Sequence, residues 1–247
     1  MKDQKVALIT GSNRGIGFET AKQLGEKGIA VILTARKLSV AEAAAAQLTA
    51  QSIDAYGIQL DVNNAAERKA VAAYISDKFG KLDILVNNAG IGPKEDSLMV
   101  KKTTETTADE LHEIFETNVF SIIYLTNDLL PLLKKSPAGR IVNLSSILGS
   151  LTIHAQENSP ISFSRRLSYN ASKAALNMYT IHLADELANT NIKVNSAHPG
   201  WVKTELGGVE IAPMEIADGA KTSVSLSLVG TDGPNGRFIH MEEELPW

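Results

Sequence analysis

The chain has 247 residues, a hydrophobic fraction of 44% and a formal net charge of −4 at pH 7, which suits one large domain with a substantial core. Negative charge without a long basic run argues against nucleic-acid binding, and no apolar run approaches the ~18 residues that a membrane-spanning helix needs. The chain contains no cysteine, which excludes disulfides and thiolate chemistry, and it enters its first strand without a signal peptide, so we expect a cytoplasmic protein.

Apolar runs of strand length alternate with helical patterns along the chain. The predicted strands are Val6–Thr10, Ala30–Thr34, Ala55–Leu60, Ile84–Asn87, Arg140–Leu144, Lys193–Ala197 and Arg237–His240. The predicted helices lie near Gly15–Lys27, Ser39–Gln51, Asn64–Phe79, Ala108–Lys134, Tyr169–Ala188 and Pro213–Leu228. This alternation predicts an α/β fold, namely one Rossmann-type domain over residues 1–247 with a doubly wound parallel sheet of about seven strands and helices on both faces.

A glycine-rich turn over residues 10–17 connects the first strand to the first helix. Glycines allow the backbone to approach a pyrophosphate, and the N-terminus of the helix supplies N–H donors and the positive end of its dipole. The turn is therefore typical of a nucleotide-phosphate site, and an ordinary strand-to-helix turn is the alternative interpretation. The residues predicted to contact a cofactor in this turn are Gly11, Asn13, Arg14, Gly15, Ile16 and Gly17.

Tyr169 and Lys173 are four residues apart in a predicted helix, which places both side chains on one face. A positive charge beside a phenol favours the phenolate, so we expect Lys173 to lower the pKa of Tyr169 and to make it a proton donor and acceptor. The pair alone is weak evidence, because a surface helix with a half-buried tyrosine and a solvated lysine gives the same pattern.

The Gly-x-x-x-Gly-x-Gly spacing of residues 11–17, together with the tyrosine–lysine pair, resembles the short-chain dehydrogenase/reductase family. The resemblance covers nearly the whole chain, because further family motifs appear in the family's order. It implies that Asp61 and Val62 meet the adenine ring of a nicotinamide cofactor. It also implies cofactor contacts at Asn88, Ala89, Gly90, Tyr169, Lys173, Pro199, Gly200, Val202 and Thr204.

The same resemblance implies four catalytic residues, namely Asn118, Ser146, Tyr169 and Lys173. Tyr169 would exchange a proton with the reacting oxygen, and Ser146 would donate a hydrogen bond to it. Lys173 would bind the ribose of the nicotinamide, and Asn118 would hold a water that returns the proton through Lys173. Of two adjacent serines, alignment by the preceding strand favours Ser146 over Ser145. Taken singly, the serine could be a turn residue and the asparagine a local helix kink.

The end of the second predicted strand distinguishes between the two nicotinamide cofactors. A site for NAD usually has an acid there, about 20 residues beyond the glycine turn, which holds the ribose 2′-hydroxyl. Here Arg36 and Lys37 follow the strand and no acid is present. A guanidinium can grip a 2′-phosphate through its planar fork, and Arg14 is placed to share it. We therefore predict NADP(H), with solvated loop cations as the alternative interpretation.

The segment between Ser146 and Tyr169 is longer than in most members of the family. This insertion, at about residues 151–167, resembles the carbonyl reductase and menthone reductase branch, as does the Pro-Trp ending of the chain. We expect it to line the substrate site. Its length leaves the assembly open, as either a monomer or a homo-oligomer through the helices that carry Asn118 and Tyr169.

These features together predict an NADPH-dependent carbonyl reductase that transfers a hydride reversibly between the cofactor and a ketone or aldehyde, with Tyr169 as general acid and base. A reductase of 3-ketoacyl thioesters in the same family is the alternative, followed by a non-catalytic sensor that binds NADPH. The histidines show no ligand spacing, so no metal site is expected. The expected partner is a small carbonyl or alcohol substrate, whose identity the loops around the site leave open.

Overall fold

A computed structural model describes residues 4–93 and 102–247. Its strands are β1 (Val6–Ile9), β2 (Ala30–Ala35), β3 (Ala55–Gln59), β4 (Ile84–Asn87), β5 (Arg140–Leu144), β6 (Lys193–Ala197), β7 (Phe238–His240) and β8 (Glu243–Glu244). They form one sheet in the order β3-β2-β1-β4-β5-β6-β7-β8. Neighbours from β3 to β7 pair in parallel, and β8 is antiparallel to β7. The predicted α/β fold is confirmed, and β8 escaped prediction because two glutamates carry no apolar strand pattern.

The described helices are α1 (Gly15–Gly25), α2 (Leu38–Thr49), α3 (Ala65–Phe79), α4 (Ala108–Phe115), α5 (Ser121–Leu133), α6 (Leu151–His154), α7 (Leu167–Glu186) and α8 (Ile216–Leu228). Local sequence explains the bounds of α3. The side chain of Asn64 accepts hydrogen bonds from the first N–H groups of the helix, and Gly80 ends it at a φ of 73°. Within the described residues, no helix is both long and apolar enough to cross a bilayer.

Side chains of the central strands are buried on both faces of the sheet, which explains why these strands are continuous apolar runs. In β1, Val6 and Leu8 belong to one core cluster, whereas Ala7 and Ile9 belong to another. Successive side chains of a strand point to opposite faces. Helices α3, α5 and α7 contribute to the first cluster, and α1, α2 and α8 contribute to the second.

The structure divides the helix that the sequence predicts over Ala108–Lys134. Helices α4 and α5 are separated by a π-helical turn over Glu116–Phe120. Asn118 lies in this turn and is fully buried. A widened turn of this kind is rare within α-helices and is frequently found at functional sites.

The C-terminal end of the chain packs against the start of the predicted insertion, where α6 lies. The Ser150 hydroxyl donates a hydrogen bond to the carbonyl oxygen of Pro246 (2.7 Å), and the N–H of Thr152 donates to that of Trp247 (2.8 Å). The Trp247 ring also stacks on Phe238 of β7, with 5.6 Å between ring centroids. The final residues therefore connect the edge of the sheet to the insertion.

Candidate active site

The glycine-rich turn has the backbone that its sequence predicts. Gly11 and Gly15 have φ angles of 59° and 60°, which residues with a side chain rarely adopt. Gly17 is required by close packing, because a Cβ atom there would lie 2.5 Å from Nδ2 of Asn88. That amide donates hydrogen bonds to the carbonyl oxygens of Thr10 (2.8 Å) and Gly11 (3.0 Å). The loop after β4 thus fixes the shape of the turn after β1.

The N-terminus of α1 fits the pyrophosphate of a dinucleotide. Arg14 is the N-cap residue and forms no side-chain capping hydrogen bond, so it leaves the first N–H groups of the helix to an anion. A Cβ atom at Gly15 would meet its nearest neighbour, a methyl group of Thr204, only at 3.9 Å. The backbone is therefore uncrowded where a phosphate would approach it.

Two polar side chains attach the turn to the end of β2. The N–H of Thr34 donates to the hydroxyl of Ser12 (2.9 Å), and the hydroxyl of Thr34 accepts from the N–H of Gly11 (3.1 Å). Arg36 follows two residues later, and its side chain is exposed. Arg14 is also exposed, and its guanidinium forms a salt bridge with Glu205, which belongs to the segment after β6. Both candidate ligands of a 2′-phosphate thus lie at the surface, and one of them has a protein carboxylate as its present partner.

The segment predicted to meet an adenine ring follows β3. The N–H of Asp61 donates to the carboxylate of Glu67 (2.6 Å), and the carbonyl oxygen of Val62 accepts from the guanidinium of Arg68 (2.7 Å). Both partners come from the beginning of α3. This helix therefore holds the Asp61–Val62 segment in place.

One cavity lies at the carboxyl ends of β4, β5 and β6, where parallel sheets of this kind bind ligands. Ten of the predicted residues line it, namely Ile16, Asn88, Gly90, Ser146, Tyr169, Lys173, Pro199, Gly200, Val202 and Thr204. The other predicted residues lie outside its lining, namely Gly11, Asn13, Arg14, Gly15, Gly17, Arg36, Asp61, Val62, Ala89 and Asn118.

Three of the four predicted catalytic side chains meet at this cavity. Tyr169 and Lys173 lie on successive turns of α7, and the Lys173 ammonium is 5.6 Å from the centroid of the tyrosine ring. The Tyr169 hydroxyl lies near the side chain of Ser146, which follows β5. Lys173 is almost fully buried and donates to the carbonyl oxygen of Leu144 (2.7 Å). The ends of one strand and one helix thus bring a phenol, a hydroxyl and an ammonium together.

The electrostatic environment of Tyr169 differs from the predicted one. Burial raises the pKa of Tyr169 to about 12, and the nearby hydroxyl of Ser146 and the charge of Arg166 act in the opposite direction. Burial also lowers the pKa of Lys173 to about 8. The sequence predicts that Lys173 lowers the pKa of the tyrosine, whereas in the structure Ser146 and Arg166 do so against a larger effect of burial.

Asn118 connects the loop after β4 to α7 rather than facing the cavity. Its amide exchanges two hydrogen bonds with the backbone of Ile91, donating to the carbonyl oxygen and accepting from the N–H, both at 2.9 Å. The same amide nitrogen is 3.1 Å from the hydroxyl of Ser172, to which it donates. The π-helical turn presents the amide to these partners, which explains why the helix is interrupted at this position.

The structure identifies individual cavity residues in two segments, 148–167 and 201–213, which were expected from the sequence to shape the substrate pocket without any side chain being named. Phe163, Arg166 and Leu206 line the cavity, and Phe163 and Arg166 come from the predicted insertion. Trp201, for which lining and core positions remained open, also lines it and stacks on Phe163 with 5.8 Å between centroids. The only sequence signal for Arg166 is its place in the insertion that was expected to line the substrate site.

His198 is a buried neutral side chain next to the cavity. Its ring lies 4.8 Å from the ring of His240, and its Nδ1 atom faces the N–H groups of Ile147 (3.3 Å) and Gly200 (3.4 Å). Burial, with a smaller contribution from His240, lowers the pKa of His198 to about 3. The imidazole therefore joins the loops after β5 and β6 as an uncharged acceptor.

We expect acid to destabilise the protein through His198. The unfolded chain binds a proton at this residue below pH 6.5, whereas the folded protein does so only near pH 3. This stability is present above pH 6.5 and is lost as the pH falls towards 3, by about 2 kcal/mol at pH 5. In urea unfolding at pH 7.5 and pH 5, His198→Asn should lose less stability between the two conditions than the wild type. The exposed His182→Asn should match the wild type, and equal losses in all three proteins would contradict the assignment.

Comparisons with known proteins agree with this geometry. The family model for short chain dehydrogenases matches residues 5–213. (−)-Isopiperitenone reductase of Mentha piperita is 32% identical, with 98% of each chain covered. The 3-oxoacyl-(acyl-carrier-protein) reductase FabG of Vibrio cholerae is 37% identical, with 82% of this chain and 75% of that protein covered. The structure of NADPH-bound carbonyl reductase from chicken fatty liver superposes with a TM-score of 0.85 at 27% identity and 99% coverage of each chain.

The match to the family model extends over most of the chain, and the relatives named above are reductases. Members of this family bind a nicotinamide cofactor. The chain therefore belongs to the short-chain dehydrogenase/reductase family and is an oxidoreductase that acts on carbonyl or alcohol groups.

Proposed function

We propose that the protein is an NADPH-dependent carbonyl reductase, which converts a ketone or aldehyde reversibly to an alcohol. The observation that carries the proposal is that Ser146, Tyr169 and Lys173 line one cavity, to which Ile16 of the glycine-rich turn also contributes. A proton donor, a second hydrogen-bond donor and a cation at a single cavity are the groups that carbonyl reduction requires.

Each group has a distinct role in the proposed reaction. When bound, the nicotinamide cofactor supplies the hydride for the carbonyl carbon. Tyr169 donates a proton to the carbonyl oxygen, and its raised pKa of about 12 keeps the phenol protonated at neutral pH, as reduction requires. Ser146 donates a hydrogen bond to the same oxygen and stabilises the negative charge that develops there. Lys173 uses one N–H for Leu144 and keeps two for the ribose of the cofactor.

Other residues of the proposed site hold the cofactor or support the catalytic groups. The turn and the start of α1 bind the pyrophosphate, and the segment Asp61–Val62 meets the adenine ring. The loops after β4 and β6 border the nicotinamide. Asn118 maintains the loop after β4 through its contacts with Ile91 and Ser172. In this proposal it also orders a water beside Lys173, as the family resemblance implies.

The proposed preference for NADPH rests on Arg36 and Arg14, which are the cations beside the proposed site of the ribose that carries the 2′-phosphate. We expect Arg36→Asp to lower the ratio of kcat/KM for NADPH to that for NADH by about tenfold or more, because a charge-assisted contact with the 2′-phosphate is lost. Lys27→Asp makes the same charge change at an exposed lysine away from the site and should leave the ratio within about threefold. A wild-type preference for NADH of more than about tenfold would contradict the cofactor assignment.

The salt bridge between Arg14 and Glu205 bears on the same preference. A 2′-phosphate must compete with the Glu205 carboxylate for the guanidinium, and both side chains are about two-thirds exposed, at 67% and 70%. Solvent screens such a pair, so an incoming phosphate can displace the carboxylate at little cost.

Two alternative functions differ from the proposed one in the substrate of the cavity or in whether a reaction occurs there. The similarity to 3-oxoacyl-(acyl-carrier-protein) reductases favours an acyl thioester substrate in the first alternative. The second is a sensor that binds NADPH without turnover. We expect purified protein to consume NADPH with simple aromatic, terpenoid or keto-ester carbonyls. Turnover confined to acyl thioesters would favour the first alternative, and tight NADPH binding without any turnover would favour the second.

Whether the protein is a monomer or a homo-oligomer can be tested separately from its activity. Phe120, Tyr124 and Met178 are exposed apolar side chains on the two helical segments that carry Asn118 and Tyr169. Exposed apolar patches on helices favour association, so a homo-oligomer through these segments is the preferred arrangement over a monomer. The molar mass from light scattering distinguishes the two states.

A further inference from the structure

The cavity contains a cation that the proposed reaction does not use. Arg166 is the N-cap residue of α7 and lines the cavity together with Tyr169 and Ser146. Its Nε atom is buried and has no hydrogen-bond partner among the described residues. A buried guanidinium nitrogen without a partner is costly, so the side chain is held where a partner can be supplied from outside the protein.

The described lining contains no carboxylate that could supply that partner. None of its residues is an aspartate or glutamate, and most are apolar residues or glycines. The other lining cation, Lys173, already donates to the carbonyl oxygen of Leu144. Burial keeps His198 neutral, since its pKa falls to about 3. Arg166 is therefore the charge in the described cavity that lacks a counterion.

We propose that Arg166 binds a carboxylate of the substrate and that the preferred substrates are keto acids. The inference rests on the proposed function, because it assigns the second functional group of the carbonyl compound that Tyr169 protonates. A planar guanidinium and a carboxylate can form two parallel hydrogen bonds. A single arginine matches the single charge of a carboxylate, whereas a phosphate monoester would need a second free cation.

The position of Arg166 brings the proposed carboxylate site close to the carbonyl site. Arg166 and Tyr169 line the same cavity, and the charge of Arg166 is near enough to the phenol to lower its pKa. A carboxylate on Arg166 and a carbonyl on Tyr169 can therefore belong to one small molecule. The stacked rings of Phe163 and Trp201 border the same cavity and offer a flat apolar surface to the remainder of the molecule. The charge of Arg166 and the apolar rings of Phe163 and Trp201 together fit an aryl or alkyl keto acid.

An alternative role for Arg166 is to act only on Tyr169, and this role leads to a different expected result. Its positive charge also acts on the phenol of Tyr169. If that were its whole contribution, replacing it would slow charged and neutral substrates alike and would shift the pH profile of both. Comparing each keto acid with its own ester separates the two roles, because any effect through Tyr169 cancels in the ratio.

The experiment measures kcat/KM with NADPH for phenylglyoxylate and 3-benzoylpropionate and for the methyl ester of each acid. We expect Arg166→Gln to lower the acid-to-ester ratio by about tenfold or more in at least one pair, in line with the loss of a charge-assisted contact. Arg165→Gln is the matched control, because Arg165 is exposed and lies outside the cavity lining. Its ratio should stay within about threefold of the wild type.

Two outcomes would overturn the assignment: a wild type that reduces the esters and neither acid, or an unchanged ratio in Arg166→Gln for both pairs. A wild type that reduces no carbonyl compound would count against the proposed function instead. In that case, a calorimetric measurement of keto-acid binding tests the role of Arg166 without turnover. With NADP+ present, phenylglyoxylate should bind to the wild type and Arg165→Gln at least about tenfold more tightly than to Arg166→Gln, and equal affinities would refute it.

Discussion

Tyr169→Phe should lower kcat by about a thousandfold while NADPH binding changes by less than about threefold. The substitution removes the hydroxyl that is proposed to donate the proton, and it keeps the ring that lines the cavity. Single-turnover kinetics with a responsive ketone report the loss of proton transfer, and fluorescence titration reports NADPH binding.

Tyr124→Phe is the matched control for this experiment. Tyr124 lies on α5, is 45% exposed and contacts Arg68 through its ring, which the phenylalanine keeps. We expect wild-type kcat for this variant and a similar Tm for both variants. Retention of more than about a tenth of wild-type kcat in Tyr169→Phe would remove this tyrosine from its proposed role.

Gly17→Ala should weaken NADPH binding by about one to two orders of magnitude and lower the Tm. Alanine is the better helix former, so local propensity predicts a gain in stability of about 1 kcal/mol. Tertiary packing reverses this expectation, because the new Cβ atom would lie 2.5 Å from Nδ2 of Asn88 and 2.8 Å from the carbonyl oxygen of Gly11. Overpacking costs about 1–3 kcal/mol, and relieving it requires a shift of the turn that is proposed to bind the pyrophosphate.

Gly230→Ala controls for the general effect of adding a methyl group to a glycine. A Cβ atom at Gly230 meets nothing within 4 Å, and the residue is exposed. Calorimetric titration with NADPH and thermal unfolding should give wild-type values for this variant. If Gly17→Ala also bound NADPH as the wild type does, the proposed path of the pyrophosphate over this turn would be wrong.

Burial in the folded protein explains why the predicted effect of Lys173 on Tyr169 differs from the structure. The four-residue spacing places the two side chains on one helix face, as expected. How far each side chain is withdrawn from water depends on the strands and loops that cover the helix. Here burial raises the pKa of the phenol and lowers that of the ammonium. The protonated phenol suits reduction at neutral pH without a large effect of the lysine.

Asn118 and Arg166 show the same dependence on distant partners. The helix interruption at Asn118 depends on Ile91, which is 27 positions away in the chain. Nothing in the residues around Asn118 indicates that partner, so the sequence predicts a continuous helix. Arg166 lies in an irregular segment, where neither strand nor helix periodicity predicts the direction of a side chain. Only the packing of the insertion against α7 brings it into the cavity.

The sequence by itself determined the alternation of strands and helices along the chain, the glycine-rich turn and the spacing of Tyr169 and Lys173. These features follow from periodicity, backbone preferences and spacing over a few residues, which act locally. The tertiary structure decided which residues share the cavity, how the Asn118 amide is used, and which charge in the described cavity lacks a partner. Those properties depend on contacts between segments far apart in the chain and on the removal of side chains from water, and both arise only when the sheet and its loops have packed.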